Sequence, residues 1–269
     1  MLLTVHSSLW PLLVLFLVSN AYGTSVLFGV ALLKQQSFFE GSFSSRKYYL
    51  LMGWAPLTYL GLALLLDPRY ALFFVTAAAL GVIGELLVSI HFRSFFREPI
   101  WTYSHSSILS GYTATINILP WAVGALLFHV FGRLIFPAAE PLPVDAMLTA
   151  TVAVLGGVAL SLALRSRTSA RTGQLSVAAF AVFCLPIATS ALALGLLCDA
   201  RYPLVMAIFS LVGFSTEYGY GRSMALFFDR ALWTYNHWPI DEGHSSFVTF
   251  PLWALGGLYF HFIAVLVGL

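Results

Sequence analysis

Long apolar runs separated by short polar connections fill this chain. The runs cover roughly 9–33, 48–66, 70–92, 113–135, 146–164, 175–198, 202–222 and 246–268, each near the ~20 residues that a helix needs to cross a bilayer core. Pro11, Pro56, Pro120, Pro186 and Pro251 fall inside the runs or near their ends. Membrane helices tolerate such prolines, because neighbouring groups satisfy the freed carbonyl. The pattern predicts an all-α, polytopic membrane protein with eight transmembrane helices.

The polar positions inside these runs recur. Sliding the chain against itself by 132 positions lays Asp67, Arg69 and Tyr70 on Asp199, Arg201 and Tyr202, and Glu85 on Glu217, without a gap. The register continues through Trp101-Thr102-Tyr103 on Trp233-Thr234-Tyr235, His105 on His237, Gly111 on Gly243, Trp121 on Trp253, Gly124 on Gly256 and Phe128-His129 on Phe260-His261. Twenty of the sixty-three positions from Asp67 to His129 are identical; unrelated apolar segments would share roughly a tenth. A tandem duplication is expected, with a first unit over 1–136, a proline-rich linker over 137–145 and a second unit over 146–269. Four spans per unit is an even number, so both units enter the bilayer the same way. That predicts a parallel 4+4 repeat about an axis along the membrane normal.

Composition strengthens the membrane reading. The chain is 59% hydrophobic and 9% charged, against roughly 25% charged residues in a soluble domain. A net charge of +2, scattered through short connections, argues against nucleic acid as a partner. Membrane lipid and a lipophilic small molecule are the expected partners, and the oligomeric state is left open. Ten basic residues (Lys34, Arg46, Lys47, Arg93, Arg97, Arg165, Arg167, Arg171, Arg222, Arg230) fall on one side of the predicted bilayer and three (Arg69, Arg133, Arg201) on the other. The richer side is expected to be cytoplasmic, which puts the Trp-Thr-Tyr loops there and both termini outside, in a cell (inner) membrane. The first apolar run has no basic residue before it and is too long for a secretory signal, so it reads as a retained span. Cys184 and Cys198 lie in one run, about 21 Å apart as a helix, too far to bridge each other.

Candidate chemistry sits at the recurring polar positions. Glu85 and Glu217 each lie about two turns inside an apolar run, where an ionised carboxylate is costly unless paired or hydrated. Such an acid serves as general acid or base, proton relay or cation ligand, or ties helices together. Glu85 is followed by Leu86, Leu87 and Val88, whereas Glu217 lies within Ser215-Thr216-Glu217-Tyr218-Gly219-Tyr220-Gly221-Arg222. The second setting is the richer: Tyr218 and Tyr220 bring phenols, and Gly219 and Gly221 admit a ligand or a neighbouring helix. Its loop adds Asp241, Glu242 and His244 where the first copy has Leu109, Ser110 and Tyr112, with a solvated cytoplasmic loop as the equal alternative for Asp241 and Glu242. The second unit is therefore expected to carry the chemistry.

Trp101, Tyr103, Trp233 and Tyr235 are either interfacial anchors or the walls of a substrate pocket whose rings stabilise a cation. His105 and His237, two residues beyond each tyrosine, are candidate acids, bases or ligands. His129 and His261 follow 24 residues later, too far along a helix to share a metal with them. They are read instead as part of a structural clasp with the Asp-x-Arg-Tyr turns. No spacing matches a metal-binding helix, a phosphate loop, a nucleophile elbow or a dinucleotide fingerprint, and no metal or cofactor is expected.

The order Glu217, Trp233-Thr234-Tyr235-Asn236, Gly243 and Phe250-Pro251-Leu252 resembles the small membrane-embedded lycopene cyclase domains, which also occur as tandem pairs, with an echo at Glu85, Trp101-Thr102-Tyr103 and Gly111. Those domains follow the proline with two glutamates; this chain has Trp253 and Ala254. The resemblance implies a membrane enzyme of cyclase or isomerase type acting on an isoprenoid- or carotenoid-like substrate. Its mechanism would start from a proton on Glu217 and need no redox cofactor. The rival readings are a proton- or cation-coupled transporter built from a parallel repeat and a non-catalytic lipid-binding protein.

Overall fold

The computed structural model describes residues 2–34, 43–105, 107–136, 144–228 and 230–269. Most of them are helical. The first half runs α1 (Leu2–Lys34), α2 (Ser45–Leu51), α3 (Trp54–Leu65), α4 (Arg69–Phe95), the short strand β1 (Trp101–Tyr103) and α5 (Ile118–Ile135). The second runs α6 (Val144–Leu164), α7 (Val177–Phe183), α8 (Leu185–Leu197), α9 (Arg201–Phe228), β2 (Trp233–Tyr235), the two-residue strands β3 (Pro239–Ile240) and β4 (Ser245–Ser246), and α10 (Phe250–Leu266). Most of the expected linker, 137–143, lies outside the described residues, and α6 begins at Val144.

Five stretches are long and apolar enough to cross a membrane, or six if α7 and α8 count as one bent span. The expected count of eight is not reached on that measure for physical reasons. α9 has 28 residues, but its Ser215–Arg222 tract dilutes the apolar face, and α10 has only 17. The predicted run 48–66 divides into α2 and α3 at Met52-Gly53. The run 175–198 divides at Cys184, two residues before Pro186, with a 51° bend; proline lacks the N–H that would continue the helix. The mostly helical architecture is as expected, but both Trp-Thr-Tyr segments, expected as loops, are short strands.

The two long helices start by one device. Asp67 accepts the Arg69 backbone N–H at 2.9 Å and also holds its guanidinium, and Asp199 does the same for Arg201, with the backbone bond at 2.7 Å. A carboxylate there satisfies an N–H that the first helical turn leaves open. Of the clasp expected between these turns and His129 or His261, the Tyr70 ring meets His129 edge-on at 6.4 Å, while among the described residues neither Asp67 nor Arg69 bonds an imidazole. The two imidazoles stack on each other instead, 6.2 Å apart and inclined by 29°. Gly132 makes room for His261, since a Cβ there would stand 2.3 Å from its Nδ1.

α4, α5, α9 and α10 pack together at the centre, with α1 and α3 against α5 and α4, and α8 against α9, itself carrying α6. One buried cluster, with Phe73, Phe128, Phe209 and Phe262, fills one end of this bundle. Another, with Tyr48, Phe92, Phe96, Phe183 and Phe228, fills the end near the strands. Glu85 on α4 and Glu217 on α9 lie between the two. Outward-facing leucines such as Leu64, Leu65, Leu196, Leu197 and Leu226 stay exposed, as a lipid-facing surface requires.

Candidate functional site

Four residues before each glutamate, on the same helix face, stands a glycine that decides what can reach it. A Cβ on Gly81 would lie 2.3 Å from the Trp121 ring, and one on Gly213 would lie 2.5 Å from the Trp253 ring. Each indole therefore packs directly against the bare helix and turns its N–H to the acid one turn further on. Trp121 Nε1 donates to Glu85 Oε2 at 3.0 Å, and Trp253 Nε1 to Glu217 Oε2 at 3.2 Å.

The remaining partners complete two matched sets. Glu85 Oε1 accepts a hydrogen bond from Tyr103 Oη, and its carboxylate accepts from Thr113 Oγ1 at 2.9 Å and from Asn117 Nδ2 at 2.9 Å to each oxygen. Glu217 Oε1 accepts from Tyr235 Oη, and Oε2 accepts from Ser245 Oγ at 2.9 Å and Thr249 Oγ1 at 2.8 Å. In both sets the partners lie 18, 28, 32 and 36 residues beyond the acid. None of these partners is charged, and the described ion pairs lie elsewhere, at Asp67, Asp199 and Asp241.

The strands join the two sites. β1 and β2 pair antiparallel, Trp101 opposite Tyr235, Thr102 opposite Thr234 and Tyr103 opposite Trp233. Ser104 N–H to Leu232 O at 3.0 Å and Asn236 N–H to Ile100 O at 3.1 Å extend the ribbon at its two ends. Asn236 Nδ2 adds bonds to Pro99 O and Thr102 Oγ1. Deeper in the bundle Trp121 meets Trp253 at 5.4 Å and Phe128 stacks on Phe260 at 6.0 Å, so an aromatic layer runs away from the two carboxylates.

The other candidates are placed as follows. Tyr218 and Tyr220 do not bond Glu217: Tyr218 points outward and donates to Asp241 at 2.9 Å, beside Arg222, and Tyr220 reaches Tyr48 at 2.5 Å and stacks on Trp233. Residue 218 projects from another face of the helix than residue 217, whereas Tyr220, three residues on, starts near that face and is drawn off by Tyr48 and Trp233. Gly219 faces open space, and Gly221 lies under the His244 carbonyl and the Trp233 ring. His105 sits between Phe43 and Tyr103, and His237 between Phe92 and Phe96. Burial lowers both imidazoles below the ordinary value of 6.5. His244 is buried and Glu242 exposed.

Leu109-Ser110-Gly111 and Asp241-Glu242-Gly243 share one left-handed turn, with φ of 53°, 58° and 85° in the first and 46°, 59° and 87° in the second. Glycine is free to take the last position. The acids of the second turn decorate the surface and do not join Glu217.

Thr113, Asn117, Ser245, Thr249, Gly81 and Gly213 belong to the site without having stood out in the sequence. The glycines and tryptophans did recur at one spacing. The other two pairs change identity between the halves of the chain, so only their polarity inside apolar surroundings marked them.

An open groove of about 400 Å³ lies between α6 and α8, walled by Ala153, Gly157, Thr189 and Leu196, and includes no partner of either glutamate. No protein-family model, curated protein or solved structure matches the chain.

Proposed function

We propose that the chain is an integral membrane enzyme that uses Glu217 as a proton donor to a lipophilic, isoprenoid- or carotenoid-like substrate in a cyclisation or isomerisation. The observation that carries this reading is the junction of a buried carboxylate, reachable hydroxyls and an aromatic layer. Glu217 is bonded by Tyr235, Ser245 and Thr249, and the indole of Trp253 that completes its shell opens the series of rings leading to Trp121, Phe128 and Phe260. A proton passes from Glu217 to an alkene carbon, the π pair forms the new C–H bond, and the rings stabilise the resulting carbocation. Loss of a proton from a neighbouring carbon to the Glu217 carboxylate restores the acid. The sum is an isomerisation, balanced without an oxidant or a reductant.

The architecture proposed for it is eight spans in two parallel four-span units: α1, α2–α3, α4 and α5, then α6, α7–α8, α9 and α10. Matching lengths support this, with 7 and 12 residues against 7 and 13 in the broken spans, 27 against 28 in α4 and α9, and 18 against 17 in α5 and α10. So does the contact of Thr102, Trp121, Phe128 and His129 each with the residue 132 positions on, since a residue touching its own counterpart lies on a two-fold axis. In the proposed orientation the ribbon faces the cytoplasm and both termini lie outside.

A proton-coupled transporter is the second reading, favoured by the matched donor sets, which give two equivalent carboxylates beside one axis. Glu217→Gln and Glu85→Gln separate them. The enzyme reading expects conversion of a lipid-soluble polyene in detergent, falling roughly 10²- to 10⁴-fold in Glu217→Gln, as for removal of a general acid, and less in Glu85→Gln. Gradient-dependent flux in proteoliposomes, lost equally in both variants, establishes the transporter instead. Unchanged behaviour of both leaves a lipid-binding scaffold.

A further inference from the structure

We infer that the two glutamates divide one proton and one charge between them, Glu85 standing ionised and Glu217 protonated, with Thr249 as the switch that lets Glu217 keep or release its hydrogen. This rests on the proposed function only in taking the pair as the working site. The two shells differ in the hydrogens they can offer. A carboxylate oxygen has two lone pairs. Oε2 of each acid faces three neighbours: Ser245 Oγ at 2.9 Å, Thr249 Oγ1 at 2.8 Å and Trp253 Nε1 at 3.2 Å for Glu217, and Thr113 Oγ1, Asn117 Nδ2 and Trp121 Nε1 for Glu85. The two therefore differ in whether a donor can turn away to a second acceptor. An indole only donates, so the crowding is relieved by turning a hydroxyl. Thr249 is placed for that, because its oxygen also lies 2.9 Å from the backbone carbonyl of Ser246. One hydrogen cannot serve both acceptors. With a hydrogen on Glu217 Oε2, the acid donates to Thr249 Oγ1, Thr249 donates to Ser246 O, and every group is satisfied.

Glu85 is built the other way. Asn117 Nδ2 lies 2.9 Å from both of its oxygens and 2.8 Å from Tyr103 Oη. An amide nitrogen only donates, and by occupying the phenol's acceptor side it commits the phenol hydrogen to the carboxylate. Trp121 adds a second donor that cannot reverse. Thr113 remains as a hydroxyl, but among the described residues no other acceptor is bonded to it to take the hydrogen it would have to redirect. Donors of this kind favour the charged form. The titratable groups around Glu217 are Tyr235 on the ribbon, His244 next to Ser245 in the chain, and Glu85 itself across the Trp121–Trp253 contact. α10 supplies Trp253, and Thr249 precedes it at the helix start, neither of them titratable. A negative charge on Glu85, across the Trp121–Trp253 contact, is a like charge that helps the second acid to keep its proton.

Infrared spectroscopy on the full chain in detergent at neutral pH tests this without any substrate. The carbonyl stretch of one buried, protonated carboxyl is expected in the unaltered protein, absent in Glu217→Gln and present in Glu85→Gln. Thr249→Asn, which copies the first half's donor into the second, is expected to abolish the band, whereas Thr249→Ser keeps it. Absence of the band from the unaltered protein, or its survival in Glu217→Gln, overturns the inference; if Thr249→Asn fails to fold, the Gln variants decide alone. A band assigned to Glu217 alongside undiminished conversion by Glu217→Gln sinks the catalytic reading and leaves this one standing. Lost conversion with no band does the reverse.

Discussion

Asn117 and Thr249 each stand 32 residues beyond a buried glutamate and bond it, yet one brings hydrogens that cannot be turned back and the other a single hydrogen with two acceptors in reach. The difference between the two acids resides in this pair. Tyr218 and Tyr220, the phenols nearest Glu217 in sequence, are turned elsewhere.

Gly81 and Gly213 are predicted to resist replacement by any larger residue. Gly81→Ala or Gly213→Ala drives a Cβ into the indole at 2.3 or 2.5 Å, and such overpacking costs about 1–3 kcal/mol. Lower thermal midpoints in detergent and shifted tryptophan fluorescence are expected. Gly84→Ala and Gly256→Ala, with nothing within 4 Å, serve as controls and gain helix propensity. Equal behaviour of the two groups contradicts the packing of the indoles on bare helix.

Asn236→Ala removes the side-chain bonds to Pro99 O and Thr102 Oγ1 that brace the β1–β2 ribbon. Each neutral bond contributes about 0.5–1.5 kcal/mol at most in this exposed position. Faster amide exchange over 101–104 and 232–236 is predicted, with α6 and α8 unaffected. Unaltered exchange in the ribbon would show that the backbone pairing alone holds it.

The protein is predicted to lose stability as pH falls below 6.5 because of His237. Burial lowers its folded value below 6.5, so on acidification the unfolded chain takes up this proton first, and the linkage draws the equilibrium toward it. Above 6.5 both states are neutral at this ring and the contribution is fully present. Thermal midpoints measured against pH should fall less steeply in His237→Gln; an unchanged slope refutes the assignment. His105 acts with the same sign.

Asp67 behaves differently at lower pH. Its hydrogen bonds with Arg69 bring the carboxyl from an ordinary 3.8 to about 2, so its capping contribution is complete above 3.8 and is lost as pH falls through about 2. Asp67→Asn is expected to remove that acid-dependent loss while keeping a weaker cap on the Arg69 N–H. Circular dichroism of the helix signal against pH checks it, and identical acid limbs in both proteins count against the cap.

Hydropathy alone determined that this chain carries several helices long and apolar enough to cross a membrane, because the oil-water partition acts on runs of residues whatever their neighbours in space. The recurrence of Glu85, Trp101, Tyr103 and Trp121 at 132 residues' distance was equally legible, as identity needs no coordinates. Other features depend on residues far apart in the chain, and only the tertiary structure decided them. The Trp-Thr-Tyr segments bury one another as strands, a pairing between halves that no local propensity encodes. His129 stacks on His261 because Gly132 leaves room, where the spacing had suggested an Asp-Arg partner. Trp253, the point of departure from the lycopene cyclase resemblance, is the indole that bonds Glu217. Which hydroxyl or amide meets each acid follows from how α5 and α10 lie against α4 and α9. Close packing fixes that to fractions of an ångström, and it cannot be seen along a single strand of sequence.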